Sequence, residues 1–342
     1  MSESFFQRNK PFVIAEMSGN HNHSLERAIK IVEVAADAGV DAIKLQTYTA
    51  DTMTIDKKED EFYIDDPNSL WYGNSLYELY QKAYTPWEWH EPIFKRCKEL
   101  GIIGFSTPFD ASAVEFLEKL DAPAYKIASF ENVDIPLIKK AASTGKPMLV
   151  STGMATVAEL DECIRAAKTN GCDDVALLKC SSVYPAAVED SNLLTIPHLK
   201  QLFDCPVGIS DHTMGIGVSI ASIALGGCII ERHFTLSRDD GGVDASFSLN
   251  PSEMKQLVEE ARNAYVALGK ITYGVSGHES SVGRRSLYVC EDMKVGDAFT
   301  EKNLRSIRPG LGLSPKYYEM LLGKRVNRDV ARGTALSWDM IG

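Results

Sequence analysis

The chain has no CxxC pair, no long apolar run and no excess of positive charge, and each absence removes a class of protein. Its seven cysteines, at positions 97, 163, 172, 180, 205, 228 and 290, are scattered and odd in number, so they cannot all close into intrachain bridges. A reducing, cytoplasmic setting is expected. The first ten residues are polar and lack the apolar core of a secretory signal, and every apolar stretch is soon broken by charge or glycine, which argues against a membrane span. A formal charge of −11 over 342 residues leaves no general basic face to displace counterions, so neither nucleic acid nor an anionic membrane is an expected partner. Also missing is a glycine-rich dinucleotide fingerprint after the first apolar run. Any anionic ligand must be held by a local cluster of lysines, arginines and backbone amides.

What is present is a regular alternation. Eight apolar runs suited to buried parallel strands, Phe12 to Met17, Ala42 to Tyr48, Gly104 to Phe109, Ala124 to Ser129, Met148 to Thr152, Val175 to Ser181, Val207 to His212 and Cys228 to Phe234, are separated by segments of helical periodicity. From Ser24 to Asp37, for example, Leu25, Ile29, Val32 and Ala36 share one face and Ser24 is placed to cap the helix. Eight such units over about 270 residues predict a (β/α)8 TIM barrel, with a doubly wound open sheet as the second arrangement. The carboxyl ends of the runs are polar: Glu16, Lys44 and Gln46, Ser106 and Thr107, Lys126 and Ser129, Ser151 and Thr152, Lys179 to Ser182, and finally His212 and His233. Strand ends of one barrel share one face, so these residues predict a common ligand cavity. Two histidines closing consecutive strands can share one divalent cation. Lys44 and Lys126 lie inside apolar strands, and a buried ammonium needs an anion beside it.

One insertion, Asp51 to about Thr85, breaks the rhythm with acidic and aromatic residues and reads as a lid, a subunit contact or a solvated flap. The barrel is expected to span residues 1–272, a linker residues 273–283 and a small C-terminal module residues 284–342. That module has strand-like pieces at Ser286 to Cys290 and Asn303 to Ile307, and is too small for a substantial core of its own.

The ordered strings FVIAEMSGNHNHSLERA, IKLQTYTADTMT, STPFD, AYKIASFE, STGMAT, GISDHT and ERHFT resemble the sialic acid synthase family across the barrel. The tail SLYVCEDMKVGDAFTEKNLRSIRPGLGLSP is similar to that family's antifreeze-like (SAF, β-clip type) domain. LQTYTADTMT and SFENVDIPLI are most similar to the family's pseudaminic acid branch. The resemblance implies metal-dependent condensation of phosphoenolpyruvate with an N-acetylated amino sugar, here 2,4-diacetamido-2,4,6-trideoxy-L-altrose, with loss of phosphate by C–O cleavage. It implies Glu16 as catalytic acid or base, and His212 and His233 as ligands of a divalent ion, Mn2+ with Mg2+ or Co2+ as alternatives. Lys44, Thr107, Lys126, Ser129, Ser151 and Ser210 fall at phosphoenolpyruvate-binding positions, and Asn74, Glu131, Tyr184, Asp244 and Arg308 at sugar-binding positions. Arg308 would be projected into a neighbouring barrel, which implies a domain-swapped homodimer. Ser182 and the Met17 to Asn22 turn depart from the N-acetylneuraminate branch, and both departures fall on the acceptor side. N-acetylneuraminate or legionaminic acid synthesis are the enzymatic alternatives. A carbohydrate- or ice-binding protein with an inactive barrel is the non-enzymatic one.

Overall fold

The computed structural model describes residues 4–67, 69–275, 277 and 279–342. Eight parallel strands close into a barrel in chain order: β1 (Phe12–Glu16), β2 (Ala42–Thr47), β3 (Ile103–Pro108), β4 (Tyr125–Ile127), β5 (Met148–Ser151), β6 (Val175–Cys180), β7 (Val207–Ser210) and β8 (Ile229–His233). The ring is sealed by β8 on β1, which sets His233 opposite Glu16. The outer layer consists of helices Leu25–Asp37, His90–Glu99, Ala111–Lys119, Ile135–Ala142, Val157–Thr169, Thr195–Phe203, Gly217–Ala224 and Pro251–Leu268. Ser24 caps the first as the sequence predicts, its hydroxyl accepting from the Arg27 amide.

Successive strand residues point to opposite faces, and two separate apolar clusters follow from that period of two. Val13, Ala15, Ile43, Leu45, Tyr125, Ile127, Val150, Leu177 and Ile230 face the helices. Phe12, Ile14, Ala42, Phe105, Ala124, Leu149, Ala176, Leu178 and Ile229 face the barrel axis. One step of two further along the inward series gives Glu16, Lys44, Thr107, Lys126, Ser151, Cys180 and Glu231, all buried. The interior is thus apolar at its amino end and ionic at its carboxyl end. Phe6 joins the apolar floor and packs edge-on against Phe12, and Asp174 holds this segment by accepting from Ser4 Oγ (2.6 Å) and the Phe5 amide (2.7 Å).

Two strands stop two residues short of their apolar runs, the others one residue short. Residues Ser129–Glu131 form a 3-10 turn, so β4 is only Tyr125–Ile127 and Glu131 leaves the ladder. β7 ends at Ser210, leaving His212 two residues beyond it. The insertion is built rather than plain loop: it contains helix Leu76–Ala83, closed by a reciprocal capping box between Ser75 and Glu78, and a bridge between Tyr63 and Ser75. Asn68 lies outside the described residues.

Residues Lys270–Gly342 form a second compact unit. The division falls three residues before the expected domain end, just after helix Pro251–Leu268 stops at Gly269. Of the expected linker, Ser276 and His278 lie outside the described residues. Strands β9 (Ser286–Val289) and β10 (Leu304–Ile307) pair antiparallel around a core of Leu287, Val289, Met293, Phe299, Leu304, Leu321, Val326, Val330 and Leu336. Among the described residues, no helix is long and apolar enough to cross a membrane.

Gly208 makes closure possible where β7 meets β8: an added Cβ would stand 2.1 Å from the Ile229 carbonyl oxygen and 2.6 Å from the Ile229 Cβ. Gly208→Ala is therefore expected to destabilise the barrel by about 3 kcal/mol, at the upper end of overpacking penalties. Urea unfolding midpoints test this, and an unchanged midpoint contradicts it.

Candidate active site

Four charged side chains meet where the inward series turns ionic. Lys44 Nζ lies 2.5 Å from Glu16 Oε2 and 3.8 Å from Glu231 Oε2, while Lys126 Nζ lies 3.4 Å from Glu231 Oε1. All four are at least 95% buried. Lys44 also donates to Thr107 Oγ1 (3.1 Å), Ser210 Oγ donates to Glu231 Oε1 (2.9 Å), and Gln46 Nε2 donates to Glu16 Oε1 (3.0 Å). Burial raises the Glu16 pKa, and the nearby Lys44 opposes this only in part. For Glu231 burial is outweighed by Lys126, Lys44 and the Ser210 hydrogen bond, so its carboxyl stays below the ordinary range. Burial lowers Lys126 despite Glu231, whereas at Lys44 the two carboxylates overcome burial and raise it. Ser151 Oγ is buried without a hydrogen-bond partner, and the Ser129 hydroxyl accepts from the Gly153 amide (3.2 Å). Two cations and several hydroxyls therefore surround one small volume, a donor set suited to an anion bearing phosphate and carboxylate.

The imidazoles of His212 and His233 stand beside this cluster with ring centroids 5.3 Å apart. His212 Nδ1 is 2.9 Å from the Ser181 carbonyl oxygen, an arrangement in which Nδ1–H donates and Nε2 keeps its lone pair. His233 Nδ1 is buried without a hydrogen bond, and Asp244 Oδ2 lies 3.5 Å away. Burial and the neighbouring His212 hold the His233 pKa well below its ordinary value, which keeps it neutral as a ligand must be. At His212 burial is outweighed by Cys180 and the Ser181 carbonyl oxygen, which raise its pKa, so the pair fits a divalent cation that displaces the His212 proton. Among the described residues no cage of three or more His, Cys, Asp or Glu side chains converges, so such a cation would keep positions open to substrate, as catalytic sites do. Tyr184 packs against His212 (4.4 Å between centroids) and Phe247 against His233 (4.9 Å), and Trp71 of the insertion reaches Tyr184 at 6.0 Å.

Residues 31–273 match the model of the NeuB family and residues 284–342 that of the SAF domain. The chain belongs to the NeuB family. It is 43% identical to pseudaminic acid synthase of Campylobacter jejuni over 97% of each chain, and 36% identical to N,N'-diacetyllegionaminic acid synthase of the same species over 92% of this chain and 95% of the relative. The crystal structure of N-acetylneuraminic acid synthetase from Leptospira borgpetersenii superposes with a TM-score of 0.70 at 30% identity, covering 78% of this chain and 88% of the other.

In this NeuB-family barrel Glu16, Lys44, Thr107, Lys126, Ser210, His212, His233, Tyr184 and Asp244 form one connected site. Asp244 accepts a hydrogen bond from Ser18 and is pushed up to about 6 by burial. Glu131 sits at the turn after β4 with one carboxylate oxygen buried and unpaired, and burial raises it to about 7. Asn74 is spent within the insertion, donating to the Trp71 carbonyl oxygen (3.0 Å) and accepting from Lys82 (2.6 Å). Arg308 stands exposed in the second unit. Sequence reading leaves Glu231 out of the site and gives Cys180 and Gln46, both among the polar strand ends, no binding role. Their signal was available: Glu231 is two residues before His233, and Gln46 two after Lys44, hence on the same faces. Cys180 Sγ lies 4.0 Å from His212 Nδ1, a contact that offsets burial and brings the thiol down to about 7.

A carboxyl raised from 4.5 to about 7 on folding binds more protons folded than unfolded across that window, so its contribution to stability is complete below pH 4.5 and is lost as pH rises to 7. Asp244 acts with the same sign between 3.8 and about 6. Glu131→Gln is expected to flatten the upper part of this decline in urea midpoint against pH. An identical slope in the variant contradicts the assignment.

Proposed function

We propose that this chain condenses phosphoenolpyruvate with 2,4-diacetamido-2,4,6-trideoxy-L-altrose and water, giving pseudaminic acid and inorganic phosphate. The observation that carries the reading is the juxtaposition at one end of the barrel of two buried lysines, a ring of hydroxyls and an open pair of histidines. The chain's greater likeness to a pseudaminic than to a legionaminic acid synthase supports the choice of acceptor. The aromatic wall of Trp71, Tyr184 and Phe247 supports it too, since a deoxy sugar presents a methyl group that apolar contacts accommodate.

Lys44, Lys126, Thr107, Ser129, Ser151 and Ser210 hold the phosphate and carboxylate of phosphoenolpyruvate, and Asp244, Glu131 and Tyr184 orient the acceptor. Carbon three of the enol ether bonds to the aldehyde carbon, whose oxygen takes up a proton. Water adds to carbon two and gives its proton to Glu16, which also stabilises the positive character developing there. The new hydroxyl on carbon two then loses its proton to the departing phosphate as its carbonyl forms and the bond between carbon two and the phosphate oxygen breaks, while the proton received by Glu16 balances the one taken up by the aldehyde oxygen. A divalent cation on His212 and His233, manganese in this proposal with magnesium and cobalt as alternatives, would supply Lewis-acid polarisation of the acceptor carbonyl. Fixed mutual orientation of two substrates contributes much of the rate.

The rim of the barrel mouth carries exposed apolar side chains, Phe130, Val133, Met154, Val183 and Met214. In this reading a second copy covers that rim and contributes Arg308, making the working form a swapped homodimer. Seven free cysteines support a cytoplasmic location.

Phosphate release from phosphoenolpyruvate with manganese, measured separately on the altrose derivative, the legionaminic precursor and N-acetylmannosamine, tests the reading. Chelator-sensitive turnover is expected on the altrose derivative, with His212→Ala lowering kcat/KM on the order of 10³-fold, the equivalent of several kcal/mol. Preference for another sugar overturns the acceptor, and turnover that survives chelation overturns the metal role.

A further inference from the structure

Behind the histidine pair, on the helix-facing side of the barrel wall, lies an ion pair that takes no part in holding substrate. Alternation turns Ser210 and His212 inward and Asp211 outward, and on β8 it turns Glu231 and His233 inward and Arg232 outward. Asp211 and Arg232 meet at 2.7 Å, with their side chains 1% and 0% exposed.

The ladder between β7 and β8 ends with Ser210 opposite Glu231, followed by one bond from the Asp211 amide to the Glu231 carbonyl (3.1 Å). His212 lies past that point, so strand pairing does not set its distance from His233. Side chains take over. Arg232 Nη2 donates to the Thr213 carbonyl (2.7 Å), Asp211 Oδ1 accepts from the Thr213 amide (2.9 Å) and hydroxyl (2.7 Å), and Ser219 Oγ donates to Asp211 Oδ2 (2.5 Å). The residues on both sides of His212 are thereby fastened to the residue that precedes His233.

We propose that Asp211 and Arg232 are a positioning pair that fixes the spacing of His212 and His233 and so sets the affinity for a divalent cation. The inference rests on the reading of those histidines as cation ligands. A buried ion pair is an inefficient stabiliser, because removing both charges from water offsets most of their attraction, and apolar residues of similar volume often serve as well. What apolar residues cannot do is engage the Thr213 amide and carbonyl together.

The test is Mn2+ binding to the metal-free full-length protein, read by the electron paramagnetic resonance of free Mn2+, with thermal unfolding and metal-free phosphoenolpyruvate binding in parallel. Asp211→Asn/Arg232→Met strands no charge and is expected to fold and to hold phosphoenolpyruvate within twofold of wild type, while Mn2+ affinity falls on the order of 10- to 100-fold, the range for ligand-orienting partners. Arg232→Lys keeps the charge but not the reach to Thr213, and an intermediate loss is expected. Wild-type Mn2+ affinity in the double variant overturns the proposal, as does an equal loss of both ligands. If the double variant does not fold, Arg232→Lys decides, with wild-type affinity overturning the proposal. A wild-type protein that binds no Mn2+ removes the cation reading itself, and this inference with it.

Discussion

Two carboxylates and two ammonium groups balance one another inside the barrel, and the rest of the site is arranged around that balance. Any one of Glu16, Lys44, Lys126 and Glu231 alone in that position would carry a desolvation penalty of several kcal/mol. Together they are formally neutral, linked by contacts of 2.5 to 3.8 Å. The balance is uneven in a useful way. Glu231 is held ionised between two lysines, while Glu16 is raised by burial and sits closer to gaining a proton. In the proposed reading an incoming phosphate and carboxylate compete with the two carboxylates for Lys44 and Lys126.

The barrel makes such a cluster tolerable by its period of two. The same inward series that ends in charge begins with Phe12, Ile14, Phe105, Leu149, Leu178 and Ile229, closed from below by Phe6. This apolar floor keeps water from reaching the charges from the amino end, and a lower local dielectric strengthens their interaction with a ligand. Gly208, by omitting a side chain, lets β7 and β8 approach closely enough to bring His212 and His233 to one side of the cluster.

The architecture was legible because parallel strands buried on both faces leave continuous apolar runs, and eight of them with intervening amphipathic helices fit few folds. The histidine pair was legible because both residues close their runs. Glu231 was passed over because Glu231, Arg232 and His233 are consecutive polar residues, and only strict alternation separates the inward pair from the outward arginine. The early end of β4 depends on a 3-10 turn at Ser129 that the apolar run from Ala124 conceals. Asn74 carries a side chain whose bonds are settled by a neighbouring turn of its own insertion, through Lys82 and Trp71. No periodicity in the chain encodes such a choice.

In the proposed mechanism phosphoenolpyruvate binds at the neutral cluster. Calorimetric titration of phosphoenolpyruvate into wild-type protein and Lys126→Met tests it most directly, because among the described residues Lys126 makes a single ion pair, with Glu231, a carboxylate that Lys44 also faces. Loss of affinity on the order of 100-fold, the scale for removing one member of a buried charge contact, is predicted. Equal affinity in the two proteins, with folding intact, would place the anion elsewhere and contradict the claim.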